Sequence, residues 1–318
     1  MLGCSSAQKG MSMPTKIRFF VGLAGLCGVV VLASSCGGSK SAEETSTSAG
    51  STTTIPTPSV NSDIAAEVPA DIKSKGTLTV AADATYAPNE FIGADGTTVE
   101  GMSPDLGQAL GAVLGLTFKF VNASFDTIIP GLQSGKYDLG FSSFTDTKER
   151  EKVVDFVTYF TAGTSFYVQE QGGPTINSLN DLCDHSVAVE RGTIQADDAT
   201  AQDKKCKADR KSGVSVHVYP DQNAANLAIS SGRQEVGMAD SPVAAYIVEQ
   251  SNGQFKLTGT PYDTAPYGIA VPKGNGMNQP ILDALKELMA DGTYDAILAK
   301  WGLESGAITD PQINAAVS

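Results

Sequence analysis

Few residues of this chain have the type and spacing to do chemistry, and most familiar constellations fail on inspection. Gly131, Gly135 and Lys136 look like a phosphate loop, but the glycines are one residue too close and Tyr137 stands where Ser or Thr would hold magnesium. That segment reads as a helix C-terminus. Gly274 and Gly276 lack the third glycine of a dinucleotide fingerprint, and no other cofactor motif is present. A Ser-His-Asp triad has only His185 and His217 to draw on, one beside a turn and one in an alternating strand, both structural positions. Cys183, Asp184 and His185 are too few for structural zinc, which needs four converging ligands. What remains is polar recognition. Arg150 lies in the run KEREK (148–152), which by itself reads as a solvated face, yet a planar guanidinium can hold two carboxylate oxygens at once. Thr193 follows Gly192 and opens a helical pattern, so its hydroxyl and the Ile194 amide can bind an anion or simply cap the helix. Asp240 ends an apolar run ahead of Ser241 and Pro242, where Pro suits a first helical turn.

The elements that must position these residues alternate in type. Apolar runs predict strands over 78–81, 118–121, 138–141, 165–168, 187–189, 214–219, 236–238 and 267–271. Amphipathic spacing predicts helices over 105–114, 125–132, 194–201, 223–229, 242–249 and 280–303, the last broken at Gly292. Such alternation points to an α/β fold with crossover helices, and no repeat at the ~20–50-residue period of solenoids is present. The folded part is expected to begin near Val68. Ahead of it, 37–58 is nearly all Ser, Thr, Gly, Ala and Glu, which cannot bury enough apolar surface to offset ordering entropy, so it reads as a tether.

A length of 318 residues allows about two domains. With 22 Lys and Arg against 35 Asp and Glu, the formal charge of −13 argues against a nucleic-acid binder. At the front, Lys16 and Arg18 precede an apolar run over 19–33, too short to span a bilayer comfortably and the right length for a signal-peptide core. Residues 32–36 (LASSC) resemble a bacterial lipobox, which implies cleavage of 1–35 and lipidation of Cys36; cleavage without lipid is the alternative. Processing there takes Lys9, Lys16 and Arg18 and no acids, moving the charge from −13 to −16. It also removes Cys4 and Cys27, leaving Cys183 and Cys206, which outside the cytoplasm form most simply a disulfide, with two free thiols as the alternative.

Five segments in order together resemble the polar amino-acid-binding family of solute-binding proteins that feed ABC importers: DATYAP (83–88) with GMSPDL (101–106), the long run from Phe125 through SSFTDTKEREKVVDF (142–156), VAVERGT (187–193), MADSP (238–242) and GTYDAILAKWG (292–302). The resemblance covers about 76–303. It implies a two-lobe periplasmic-binding-protein fold of type II, with two crossover strands and a ligand cleft between the lobes. Lobe one would be 70–163 plus 264–310, lobe two 164–263, with 36–69 as lipidated cysteine and tether and 311–318 as a tail.

An α-amino acid is a zwitterion, so a cleft that dehydrates it must offer a positive partner for the carboxylate and a negative one for the ammonium. By resemblance, Arg150 clamps the carboxylate with Thr193 and Ile194, and Asp240 binds the ammonium. Ser142, Ser143 and Thr145 match positions that hydrogen-bond the amino-acid backbone, and Tyr86 and Phe125 match rings that sandwich the side chain. Asn89 departs from the pattern, standing where many relatives carry an aromatic residue at the pocket mouth. Asp83 and Glu190 match positions facing the ligand side chain, so a basic amino acid is expected, with glutamine as runner-up. The expected protein is a monomeric receptor held on the outer face of the cytoplasmic membrane, with a permease as partner and no cofactor. The alternatives are an enzyme on the same fold, of dehydratase or wall-cleaving type, and an extracellular sensor input domain.

Overall fold

The computed structural model describes residues 55–317, within the unit Ser51–Ser318. The expected signal peptide, the Cys36 site and the tether up to residue 54 lie outside the described residues. In chain order the elements are α1 (Ser62–Glu67), α2 (Ala70–Lys75), β1 (Thr77–Ala82), β2 (Thr85–Tyr86), β3 (Glu90–Ile92), β4 (Val99–Glu100), α3 (Met102–Leu114), β5 (Thr117–Asn122), α4 (Phe125–Gln133), β6 (Leu139–Thr145), α5 (Lys148–Glu151) and β7 (Val154–Gln169). There follow β8 (Ser186–Glu190), α6 (Ile194–Ala208), β9 (Ser215–Tyr219), α7 (Gln222–Ser230), β10 (Val236–Asp240), α8 (Ser241–Gln250), β11 (Phe255–Pro272), α9 (Asn278–Ala290) and α10 (Thr293–Trp301).

The fold begins earlier than Val68. The Asn61 side chain caps α1 by accepting from the Asp63 and Ile64 amides, and Ile55 and Ile64 pack on the core, so the tether expected over 36–69 is shortened at its C-terminal end. Composition hides this start, because α1 has a single buried residue, Ala65.

The main sheet runs β5-β1-β6-β11-β7-β10-β8-β9, with β5-β1-β6 parallel at one end and β10-β8-β9 parallel at the other. The short strands expected at 165–168 and 267–271 are parts of two long ones. β7 and β11 pair antiparallel from Val154 opposite Pro272 to Gln169 opposite Phe255, with register shifts between Thr258 and Tyr262 and between Tyr262 and Ala265. Beyond the shifts on one side β11 borders β6, and on the other β7 borders β10. The chain therefore crosses between two α/β lobes along these strands, the two-lobe fold expected.

Each lobe has its own core. Leu78, Val80, Leu106, Leu110, Ile269 and Leu285 fill the first; Phe166, Val168, Val187, Val236 and Met238 fill the second. Leu106 and Leu110 on α3 are wholly buried, so truncating either to Ala costs ~2–5 kcal/mol. Gly292 at φ +81° divides α9 from α10 where a break was expected. Gly135, at φ +73° just past α4, ends that helix in place of a phosphate loop. Cys183 and Cys206 are disulfide-bonded, with Cα atoms 5.8 Å apart and a sequence separation of 23, a closure worth ~3 kcal/mol on the chain-entropy model.

Candidate functional site

The candidate residues converge because nearly all sit where a strand ends or a helix begins. Thr145 closes β6, Glu190 closes β8, Asp240 closes β10, and Asp83 follows β1. Phe125 and Ile194 are the first residues of α4 and α6, so both lie at helix N-termini. In open α/β sheets the crevice beyond the carboxyl ends of strands is the usual ligand position.

A cavity between the lobes is lined by Tyr86, Phe125, Ser143, Thr145 and Arg150 on one side and Thr193, Ile194 and Asp240 on the other. Its volume is about 20 Å³, room for about one water, so the lobes are closed on each other. Arg150 bridges them: Nη1 donates to the Thr145 carbonyl at 2.8 Å and Nη2 to the Gly192 carbonyl at 3.1 Å. Its guanidinium lies over the rings of Phe125 and Phe144, 5.3 and 5.4 Å from their centroids. It belongs to none of the ion pairs among the described residues. Burial lowers its pKa, partly offset by Asp240. Asp240 accepts from Gln195 Nε2 at 2.7 Å, and burial lifts its carboxyl to about 6 against the opposing pull of its hydrogen bonds and Arg150. Thr193 caps α6, accepting from the Ala196 amide at 3.2 Å while donating to the Glu190 carbonyl at 2.8 Å.

The remaining candidates divide. Tyr86 and Phe125 meet edge to face with centroids 5.8 Å apart, leaving no gap for a ligand between the rings in this closed form. Ser143 and Thr145 line the cavity, whereas Ser142 is fully buried and its hydroxyl accepts from the Asp83 amide at 2.8 Å. Asp83 is committed locally: Oδ1 accepts from Thr85 Oγ1 at 2.6 Å and Oδ2 from the Phe125 amide at 3.0 Å, so it caps α4 from outside the helix. Glu190 is the opposite case. It is 1% exposed, neither of its oxygens has a hydrogen-bond partner among the described residues, and burial, with Asp83 close by, raises it to about 10. Neither acid lines the closed cavity itself; both lie close to Tyr86, whose hydroxyl is held well above its ordinary pKa by burial and by these two acids. Asn89 is not at the mouth but fully buried, donating to Ser143 Oγ at 2.9 Å.

Sequence reasoning missed Gln195 and Gln222, which also line the cavity. Gln195 holds Asp240 and Thr164 Oγ1 together, and the Gln222 amide donates to Thr85 Oγ1. Each lies in a first helical turn, where a polar side chain signals nothing beyond the helix start. His185 and His217 are absent from the lining, paired instead with Glu235 and Ser215.

A fold of two lobes shut on a polar inter-lobe cavity defines a two-lobed binding protein, and comparison with known proteins sharpens the class. Residues 78–304 match the model for bacterial extracellular solute-binding proteins, family 3, and the chain belongs to that family. The arginine-binding protein ArgT of Corynebacterium glutamicum is 33% identical over 253 residues, 79% of this chain and 83% of that one. Among solved structures, an ancestral arginine-binding protein bound to glutamine is 38% identical with a TM-score of 0.66, covering 72% of this chain and 99% of the other. An ancestral amino-acid-binding protein, a precursor of cyclohexadienyl dehydratase, is 34% identical with a TM-score of 0.65, covering 73% and 97%.

Proposed function

We propose that the chain is the receptor of an ABC importer, capturing a basic L-amino acid outside the cytoplasm and presenting it to a permease without transforming it. Lobe one would comprise 70–163 and 264–310 and lobe two the part between. The observation that carries the reading is the Arg150 guanidinium, over two rings and without an ion-pair partner among the described residues, lining the closed cavity together with Asp240. That is the charge arrangement a zwitterion needs. Glu190, buried with both oxygens unpaired, supplies a partner for a cationic side chain once the cleft widens. Similarity to arginine-binding proteins supports the same class. Calorimetric titration of unfolded and refolded protein, stripped of carried-over ligand, with L-arginine, L-lysine, L-glutamine and L-glutamate tests it.

A second ligand is favoured by one specific observation. At a pKa near 10 the Glu190 carboxyl is protonated at neutral pH in the closed cleft, and a neutral carboxyl both donates to and accepts from an amide such as that of glutamine. The receptor would be anchored through lipidated Cys36 as a monomer; Cys36→Ser should move it from the membrane fraction to the medium, and retention in the membrane at parental mass would remove the anchor.

A further inference from the structure

Residues 307–317 lie beyond the span matched to the family, 78–304, and yet they are folded back onto the first lobe. The Thr158 amide donates to the Gln312 carbonyl at 2.8 Å, and the Gln312 amide donates to Thr158 Oγ1 at 2.8 Å. Ile313 bridges to Val157. Asn314 then accepts from the Phe156 amide through Oδ1 at 2.8 Å and donates through Nδ2 to Asp155 at 2.9 Å. Up to this point the segment covers the free edge of β7, which explains it as edge protection.

The next two residues are not explained that way. The Ala315 amide donates to Asp146 Oδ2 at 2.7 Å, and the Ala316 amide donates to Glu151 Oε1 at 3.1 Å. Asp146 immediately precedes the Thr147 cap of α5, and Glu151 is the last residue of α5. Two successive backbone amides therefore hold both ends of the four-residue helix that carries Arg150. A single turn of helix has almost no stability of its own, because nucleation fixes several dihedrals for one hydrogen bond. Its position must come from outside contacts. Val317 lines a second pocket with Thr147 and Asp197 and with Thr145 and Ile194, the two residues this pocket shares with the inter-lobe cavity.

We propose that Ala315 and Ala316 are positioning residues: by fastening both ends of α5 they hold the Arg150 guanidinium at the cavity, so ligand affinity depends on a segment outside the family's common span. This rests on the reading of Arg150 as the carboxylate clamp. Without the two amides the helix would sample other positions, and ligand binding would have to select the competent one. Linkage makes the coupling reciprocal, so a bound ligand must also tighten the docking of this segment.

The test deletes 315–318 from the full chain, which removes both contacts to α5 and leaves the edge pairing through Asn314. The deletion should weaken L-arginine about tenfold, within the usual range of coupling free energies, with an unchanged melting temperature for the ligand-free protein. Glu151→Gln keeps the Oε1 acceptor and should keep the affinity, whereas Glu151→Ala should weaken it. Hydrogen exchange supplies a readout that needs no ligand: amides of 148–153 should exchange faster in the deletion variant. Unchanged exchange there, or unchanged L-arginine affinity in a variant whose parent binds it, overturns the proposal. Failure of the full-length parent to bind L-arginine or L-glutamine would instead count against the proposed function, and the exchange comparison would still decide whether the segment holds α5.

Discussion

In the proposed function, Arg150 and Asp240 would contribute most to binding, because each would hold one end of a zwitterion after water has been excluded. Removing either partner strands a dehydrated ligand charge, which costs ~3–5 kcal/mol. Arg150→Ala and Asp240→Ala should therefore weaken binding by about two to four decades while leaving the fold intact, and an unchanged calorimetric affinity in either variant would take that residue out of the site. Arg150→Lys should recover little, since an ammonium cannot reproduce two parallel donors over stacked rings. Glu190 makes a separate prediction through pH. Its folded pKa of about 10 lies above the ordinary value of 4.5, so the folded protein holds a proton that the unfolded chain has lost between those limits. Stability of the ligand-free protein should fall as pH rises through that window, and Glu190→Gln should flatten the fall. Thermal denaturation at pH 5 and pH 8 reads the difference, and a Glu190→Gln profile that parallels the parent's would show that Glu190 is not the group responsible.

At the level of elements, the strands and helices with apolar cores were legible because burial imposes a period on the sequence. The expected strands at 78–81, 187–189 and 236–238 match β1, β8 and β10, and the break at Gly292 falls where expected. The crossover strands were not legible along their length. Residues 259–266 (GTPYDTAP) show no strand pattern, and within them only Tyr262, Ala265 and Pro266 pair with β7, between register shifts, a tertiary override of weak local preference. The sheet β2-β3-β4 was invisible because strands of two and three residues are too short to show alternation. Helix α5 was hidden by its sequence KERE, which has no apolar residue to mark a face. The same limits shaped the reading of the site. Arg150 stood out only through the resemblance, since a charged run is ordinarily solvated. That Asp83 caps α4 while Glu190 goes unpaired depends on how the ends of β1 and β8 meet, which no local pattern records.

On the scale of the whole molecule, two lobes joined by two long strands close on a cavity that admits about one water. An amino acid cannot enter that form, so the receptor must open and the ligand must favour closure by touching both lobes. Arg150, reaching from lobe one to the Gly192 carbonyl, and Asp240 on lobe two are placed to couple closure to occupancy. The strong negative charge of the chain, −13, adds long-range attraction for cations and repulsion for anions. In the proposed site, a glutamate side chain would bring a negative charge toward Asp83 in a low-dielectric cleft, whereas an arginine or lysine side chain would replace the proton on Glu190. The most direct measurement is a calorimetric competition on protein stripped of ligand, with L-arginine, L-lysine, L-glutamine and L-glutamate, repeated in buffers of different ionisation enthalpy. The account predicts that the basic amino acids bind tightest and release about one proton per ligand near neutral pH, with glutamine weaker and releasing none. Tightest binding by glutamate, or no binding by any of the four, would contradict it.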